Sequence, residues 1–324
     1  MLQRVAVTGA AGFLGSHVVN GLAARGTSVL PLVRALDARS ERWRESRTLD
    51  AALKDPALLE GCQVVIHAAA VRHRYGVDAS EYRASNVEVV EALLKATARA
   101  RVGRFVLVSS VGVYGFPTRL PITETHPFAP VTLYAETKVV AERLARRVAA
   151  ELGLELCIVR PTIVYGPGDN NGMLDKTVRM IRAGSYRVVG RGNNTLHHTH
   201  IDDLVSGVLL AAEHPGAVGE DFILAGPETI TLARFSSLVA RSVGEPLPRL
   251  YVPLRAARAV ATVIGAAASA GIAFSRCEPP INHEKLDVMT LSTAFDVTKA
   301  KRVLGYEPVV RYEDGLRRTL GDTR

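Results

Sequence analysis

The sequence predicts an α/β protein, a doubly wound parallel sheet followed by a smaller C-terminal α/β domain, on three observations. Short apolar runs alternate with longer stretches of helical periodicity, a glycine-rich turn joins the first run to the first helix, and the alternation breaks after Pro161.

Strands are predicted at residues 5–7, 29–33, 64–66, 105–108 and 156–159, and helices at 14–25, 86–100 and 133–152. Strand–helix alternation of this kind implies parallel strands joined by crossover helices. The segment Gly166-Pro167-Gly168-Asp169-Asn170-Asn171-Gly172 marks a loop that leaves the sheet. Residues 1–165 therefore read as the sheet-bearing domain and 166–324 mainly as a substrate-binding one. Phe222-Ile223-Leu224 is a buried-strand signal that returns the chain to the sheet within about residues 195–225. Asp169, Asn170 and Asn171 are either substrate contacts or a plain polar loop.

Composition narrows the partners. Lys and Arg number 40 against 32 acids, a net charge of +8, but the basic residues are scattered and aromatics make up only 6%. A nucleic-acid surface would need clustered cations and stacking platforms, so none is expected. A phosphorylated cofactor accounts for part of the charge. Cys62, Cys157 and Cys277 share no short spacing, which argues against a zinc knuckle or a disulfide framework and makes a reducing cytoplasm the expected location. The chain moves from Met1 directly into the strand pattern Arg4-Val5-Ala6-Val7, with no secretory signal pattern. The apolar run at residues 259–274 is shorter than the ~20 residues of a spanning helix. It reads as helical packing, or as a lid over a hydrophobic substrate.

Thr8-Gly9-Ala10-Ala11-Gly12-Phe13-Leu14-Gly15 directly follows the first strand. Gly9 and Gly12 permit a tight turn and close approach of backbone to a pyrophosphate, and Gly15 lets the helix pack near the strand. Free N–H groups at the helix start then hold the negative charge, as in a Rossmann-type dinucleotide site, with Phe13 and Leu14 in the same turn. At the end of the second strand, where NAD-specific proteins place an acid, the sequence reads Leu32-Val33-Arg34. Arg34, helped by Arg39 or Arg42, suits a 2′-phosphate, so NADP is preferred over NAD. Asp50, with Ala51 beside it, is placed at the end of the next strand, where it would accept from the adenine amino group or be a surface acid.

Tyr134-Ala135-Glu136-Thr137-Lys138 opens the helix at 133–152, so Tyr134 and Lys138 project from one face. A phenol titrates near ~10, and an adjacent ammonium is expected to lower that value toward general acid–base use. Ser109-Ser110 ends the strand at 105–108, on the carboxyl edge where such sheets bind ligands.

Together these features resemble the extended short-chain dehydrogenase/reductase (NAD-dependent epimerase/dehydratase) family. Further matches run in order along the chain: His67-Ala68-Ala69-Ala70, Asn86, Val113-Tyr114-Gly115, Arg160-Pro161, Val164-Tyr165-Gly166-Pro167, His200-Ile201-Asp202-Asp203 and Leu304-Gly305-Tyr306-Glu307-Pro308. The resemblance implies that Tyr134 is the general acid or base, that Lys138 tunes it and holds the nicotinamide ribose, and that Ser110 hydrogen-bonds the reacting oxygen. It adds cofactor contacts at Ala68, Ala69, Ala70, Asn86, Pro161 and Thr162. It also implies a homodimer through the helices at 86–100 and 133–152.

Departures from the family pattern select among its reactions. Sugar-nucleotide 4,6-dehydratases carry an Asp-Glu pair where this chain has Val111-Gly112. Members acting on nucleotide sugars usually have Asn where Ile163 stands and an arginine where Leu196 stands; Arg187 and Arg191 are out of register. The pocket is thus expected to be apolar, resembling the 3β-hydroxysteroid dehydrogenase and dihydroflavonol-reductase branch. The expected activity is ketone/alcohol interconversion on a hydrophobic or polycyclic small molecule, with nucleotide-sugar epimerisation as the alternative. His197, His198 and His200 are not expected to bind metal, because adjacent ligands in an extended segment face opposite ways. His200 with Asp202 and Asp203 reads instead as a helix start.

Overall fold

A computed structural model describes residues 2–37, 40–43, 45–72, 77–170, 172–247, 251–269 and 281–321. Arg39, Asn171, Phe274 and Cys277 lie outside the described residues. The centre is a seven-stranded parallel sheet of β1 (Arg4–Thr8), β2 (Ser28–Val33), β3 (Arg47–Thr48), β4 (Val64–His67), β5 (Arg104–Val108), β6 (Glu155–Pro161) and, later in the chain, β11 (Asp221–Leu224). Its order is β11-β6-β5-β4-β1-β2-β3. The chain builds outward from β1 to β3 and then restarts at β4 on the other side of β1. The carboxyl ends of β1 and β4 therefore flank the switch point, where open α/β sheets leave a crevice.

Helices α1 (Phe13–Ala24), α2 (Leu49–Lys54), α3 (Ala79–Arg83), α4 (Val89–Arg99) and α5 (Leu133–Leu152) cross between strands. The helix predicted from residue 86 begins earlier, at Ala79, and carries a π-turn over Ala84–Glu88 that joins α3 to α4. Such a turn rotates the residues within it, and Asn86 is one of them. The α5 prediction holds at both ends. Thr132 caps it by accepting from the Ala135 N–H, and Gly153 ends it in the left-handed region at φ 63°.

Beyond β6 the chain forms short strands β7 (Val164–Tyr165), β8 (Val188–Val189), β9 (Thr195–Leu196) and β10 (Thr199–His200), with α6 (Met173–Arg182) between β7 and β8. It then returns through α7 (Ile201–Glu213) to β11, as Phe222-Ile223-Leu224 predicts. Leu204, Val208, Phe222 and Leu224 join the core formed by β1 and α1. A separate core gathers Leu174, Val178, Phe235, Val239, Tyr312 and Leu316 from α6, α8 (Leu232–Ser242) and α12 (Tyr312–Leu320). The part of the apolar run within the described residues, 259–269, lies in α9 (Leu254–Ser269), which buries Ala257 and Ala261 but leaves Val260 and Val263 exposed; residues 270–274 of the run lie outside them. Among the described residues no helix is long and apolar enough to cross a membrane.

One buried charge ties these layers together. The Arg160 side chain on β6 is 2% exposed and donates to Glu142 on α5 at 3.0 and 2.6 Å and to the Tyr114 hydroxyl at 2.6 Å. It also pairs with Asp221 at the start of β11, whose other oxygen takes Arg146 of α5 at 2.7 Å. Removing Glu142 leaves this buried cation with Asp221 as its remaining carboxylate and two of its hydrogen bonds unmade. Glu142→Ala is therefore expected to cost about 3–5 kcal/mol in a urea or thermal unfolding experiment, with Glu142→Gln costing less.

Candidate active site

The glycine turn fits a dinucleotide by its contacts. Gly9 takes φ +68°, and a Cβ there would lie 2.9 Å from the Ala69 backbone; at Gly15 it would lie 2.1 Å from the Gly9 carbonyl oxygen. Both positions therefore exclude larger residues. Gly12 is exposed, its N–H donates to the Gly9 carbonyl at 2.8 Å, and it starts α1 with no acidic residue in the first turn. Phe13 and Leu14 follow as the first helical residues. The result is an unneutralised helix N-terminus at the switch point, a suitable cradle for a pyrophosphate.

Thr8, which sequence reasoning passed over, joins the two strands there. Its Oγ1 bonds His67 Nδ1 at 2.8 Å and accepts from the Ala69 N–H at 3.2 Å, so the Ala68-Ala69-Ala70 stretch is held beside Gly9. Arg34 emerges exposed from the end of β2. Arg42 is drawn aside onto the Trp43 ring, 4.0 Å from its centroid.

The placement of Asp50, with Ala51 beside it, at the end of a strand requires correction. β3 ends at Thr48, whose hydroxyl caps α2 by accepting from the Ala51 N–H at 3.1 Å. Asp50 thus lies in the first helical turn, largely exposed and paired with Lys54 at 2.7 Å, not at a strand end. A two-residue strand has too little apolar pattern to mark its own end.

The three proton-transfer candidates do come together. Ser110 follows the end of β5 and accepts from the Gly112 N–H at 3.1 Å, and it is one of the groups that act to lower the Tyr134 phenol. Ser109 lies just past the strand end, its hydroxyl buried and without a hydrogen-bond partner among the described residues. Lys138, one turn along α5 from Tyr134, is buried and donates to the Val108 carbonyl at 2.8 Å, with its Nζ 5.8 Å from the centre of the Tyr134 ring.

Electrostatics reverse one expectation. Burial pushes Tyr134 up to about 12, with Arg72 and Ser110 acting the other way. Lys138 is not among the groups that lower it. Burial brings Lys138 itself down to about 8, opposed by Glu142. Dehydration penalises both charged forms and here outweighs the predicted help of an adjacent ammonium.

Asn86 has its polar atoms engaged within the protein. It accepts from the Val71 N–H at 2.8 Å and donates to the Val71 carbonyl at 3.0 Å and the Thr137 hydroxyl at 3.1 Å. Pro161 ends β6, and the Thr162 hydroxyl after it is buried and bonded to that of Thr199 at 2.6 Å. The histidines have separate structural roles. His197 bonds Gly226 and Phe295 backbone, His198 is buried against Phe235 and Tyr312, and His200 caps α7 by accepting from the Asp202 N–H at 3.2 Å. Asp203 accepts from the N–H groups of Val309 and Val310, tying α7 to the C-terminal segment. Among the described residues no cluster of three or more His, Cys, Asp or Glu is placed to hold a metal.

Comparison with known proteins agrees with this arrangement. Residues 5–225 match the model of the NAD dependent epimerase/dehydratase family. The chain is 31% identical to the 4-hydroxy-2-methyl-3-oxo-4-farnesyl-3,4-dihydroquinoline-1-oxide ketoreductase of Stigmatella aurantiaca, over 97% of this chain and 95% of that one. It is also 31% identical to the 3 beta-hydroxysteroid dehydrogenase/Delta 5-->4-isomerase of Mycobacterium tuberculosis, over 97% and 89%. Among solved structures, the UDP-glucuronic acid 4-epimerase of Bacillus cereus superposes with a TM-score of 0.78 at 22% identity, covering 98% of this chain and 97% of that one. With its Rossmann-type sheet, its glycine turn at the switch point and these relatives, the chain belongs to the NAD-dependent epimerase/dehydratase family and is an NAD-dependent enzyme.

Proposed function

We propose that this enzyme interconverts a ketone and an alcohol on a hydrophobic small molecule, working best in the reductive direction with NADP preferred. The observation that carries the reading is the convergence of Ser110, Tyr134 and Lys138 at the carboxyl ends of β5 and α5's first turns, beside the glycine turn. When bound, the nicotinamide supplies the hydride. Backbone N–H groups of the glycine turn hold the pyrophosphate, Lys138 the ribose, and Arg34 the 2′-phosphate. Tyr134 then donates its proton to the carbonyl oxygen while the Ser110 hydroxyl hydrogen-bonds that oxygen. Burial raises this phenol, so at neutral pH it carries the proton that the proposed reduction uses.

The residues at the positions where members acting on nucleotide sugars carry Asn and Arg support a ketone rather than a nucleotide sugar. Ile163 is 42% exposed at the loop after β6, Leu196 is buried, and Arg187 donates to the carbonyls of Gly184 and Tyr186 at 2.8 and 2.7 Å. None of these residues is set to clamp a diphosphate. Both relatives at 31% identity bear names of ketone or alcohol oxidoreductases. The alternative, epimerisation of a nucleotide sugar, draws on the B. cereus enzyme, a likeness of fold at 22% identity. Nicotinamide absorbance decides between them. Net NADPH oxidation with apolar ketones supports reduction, and sugar interconversion without net oxidation supports the epimerase.

Tyr134→Phe is expected to lower turnover by about 10²–10⁴-fold while leaving NADPH affinity, read by fluorescence titration, nearly intact. Undiminished turnover would refute the role of the phenol. Arg34→Asp is expected to cost about 1.5–3 kcal/mol of NADPH binding and to spare NADH. An unchanged preference would reduce Arg34 to a surface charge. A homodimer is also proposed, through α4 and α5, where Ala92 and Val140 face outward. Sedimentation equilibrium is expected to show twice the chain mass, and a monomer alone would exclude pairing.

A further inference from the structure

The proposed reaction leaves one charged pair near Tyr134 without a task. Arg72 follows the stretch at the end of β4 that faces the glycine turn. Asn86 holds both backbone groups of the preceding Val71 and bonds Thr137, whose hydroxyl in turn donates to the Tyr134 carbonyl at 2.8 Å. The Tyr82 hydroxyl donates to the Arg72 carbonyl at 3.2 Å. Arg72 is thus anchored by its backbone to the turn of α5 that carries the proton donor. Its side chain is 63% exposed, and its charge reaches the Tyr134 phenol.

Opposite it stands Asp169, in the loop after β7. The side chain is only 4% exposed, and among the described residues its Oδ1 makes no hydrogen bond. Among the described residues the nearest cation is Arg72, whose Nη2 lies 3.9 Å away, beyond the ~2.7–2.9 Å of a charge-assisted hydrogen bond. Gly172 makes room for this carboxylate, since a Cβ there would overlap it. A buried carboxylate left short of hydrogen bonds is costly. A loose pair of this kind stabilises little by itself, and a guanidinium offers a planar fork that matches a carboxylate.

We infer that Arg72 is a specificity-determining residue that binds a carboxylate attached to the carbon next to the reacting carbonyl, so that the preferred substrates are 3-oxo acids with an apolar chain. Asp169 is the resting counter-ion that the substrate's carboxylate replaces. Tyr134 then meets a ketone oxygen while Arg72 meets the acid two bonds away. This inference rests on the ketone-reduction reading for its chemistry, but the anion site can be tested without turnover.

The experiment compares 3-oxooctanoate with its methyl ester as substrates of the full chain with NADPH, in the wild type, Arg72→Met and Asp169→Asn. Wild type is expected to prefer the acid, and Arg72→Met to cut the acid-to-ester ratio of kcat/KM about tenfold or more, mainly through KM, with NADPH affinity retained. Asp169→Asn is expected to keep that preference or raise it. Equal losses for acid and ester, or a loss of NADPH affinity in Arg72→Met, would overturn the inference and make Arg72 a cofactor contact or a structural residue. If neither compound is reduced, the reaction reading fails separately, and octanoate and methyl octanoate are titrated calorimetrically into the protein–NADPH complex. Octanoate binding that disappears in Arg72→Met upholds the anion site; binding that does not depend on Arg72 overturns it.

Discussion

The buried guanidinium of Arg160 is the constraint on which the rest of the arrangement depends. It sits on β6 and takes Glu142 from α5, Asp221 from β11 and Tyr114 from the turn after Ser110. Each partner comes from a different segment, so the cation is satisfied only when all four are in register. Buried ion pairs are weak net stabilisers but strong penalties on misassembly, because any missing partner leaves a charge in a dry interior. The helix carrying Tyr134 and Lys138 is thereby locked against the strand edge that presents Ser110.

That lock has a chemical consequence. Glu142 stands one turn beyond Lys138 and is the charge that sustains its ammonium against burial. Arg160 holds Glu142 in place, so the same interaction that fixes the helix also steadies the charge beside the site. Burial acts on Tyr134 in the opposite sense to the usual picture of an activated phenol, raising it and keeping it protonated.

The second support is the sheet itself. Parallel strands whose order reverses at β1 and β4 leave a crevice at their carboxyl ends, and the Thr8–His67 bond with the close contact of Gly9 on Ala69 fixes the two loops that line it. Burial keeps His67 neutral by pushing it down to about 3, so this bond does not titrate in the physiological range. The same edge carries the loop of Arg72, which Asn86 staples to α5.

Much of this was legible in the sequence, for a definite reason. The glycine turn, the Tyr134–Lys138 spacing, the bounds of the helix at 133–152 and the α7 start at His200 are local, and local patterns are read from neighbouring residues alone. The resemblance added order along the chain and pointed to Arg160 and Tyr114 without saying what they hold. What could not be read is what distant segments do to one another. Asp50 fell off its strand because β3 is two residues long, and Asn86 turned inward because a π-turn rotates it. Arg72 and Asp169 are 97 residues apart in numbering and meet only in the fold. The sequence alone determined the class of fold, and it singled out the glycine turn and the residues proposed for proton transfer. Tertiary structure decided the sign of their pKa shifts and the company they keep, because desolvation and ion pairing depend on what packs against a side chain and not on what precedes it.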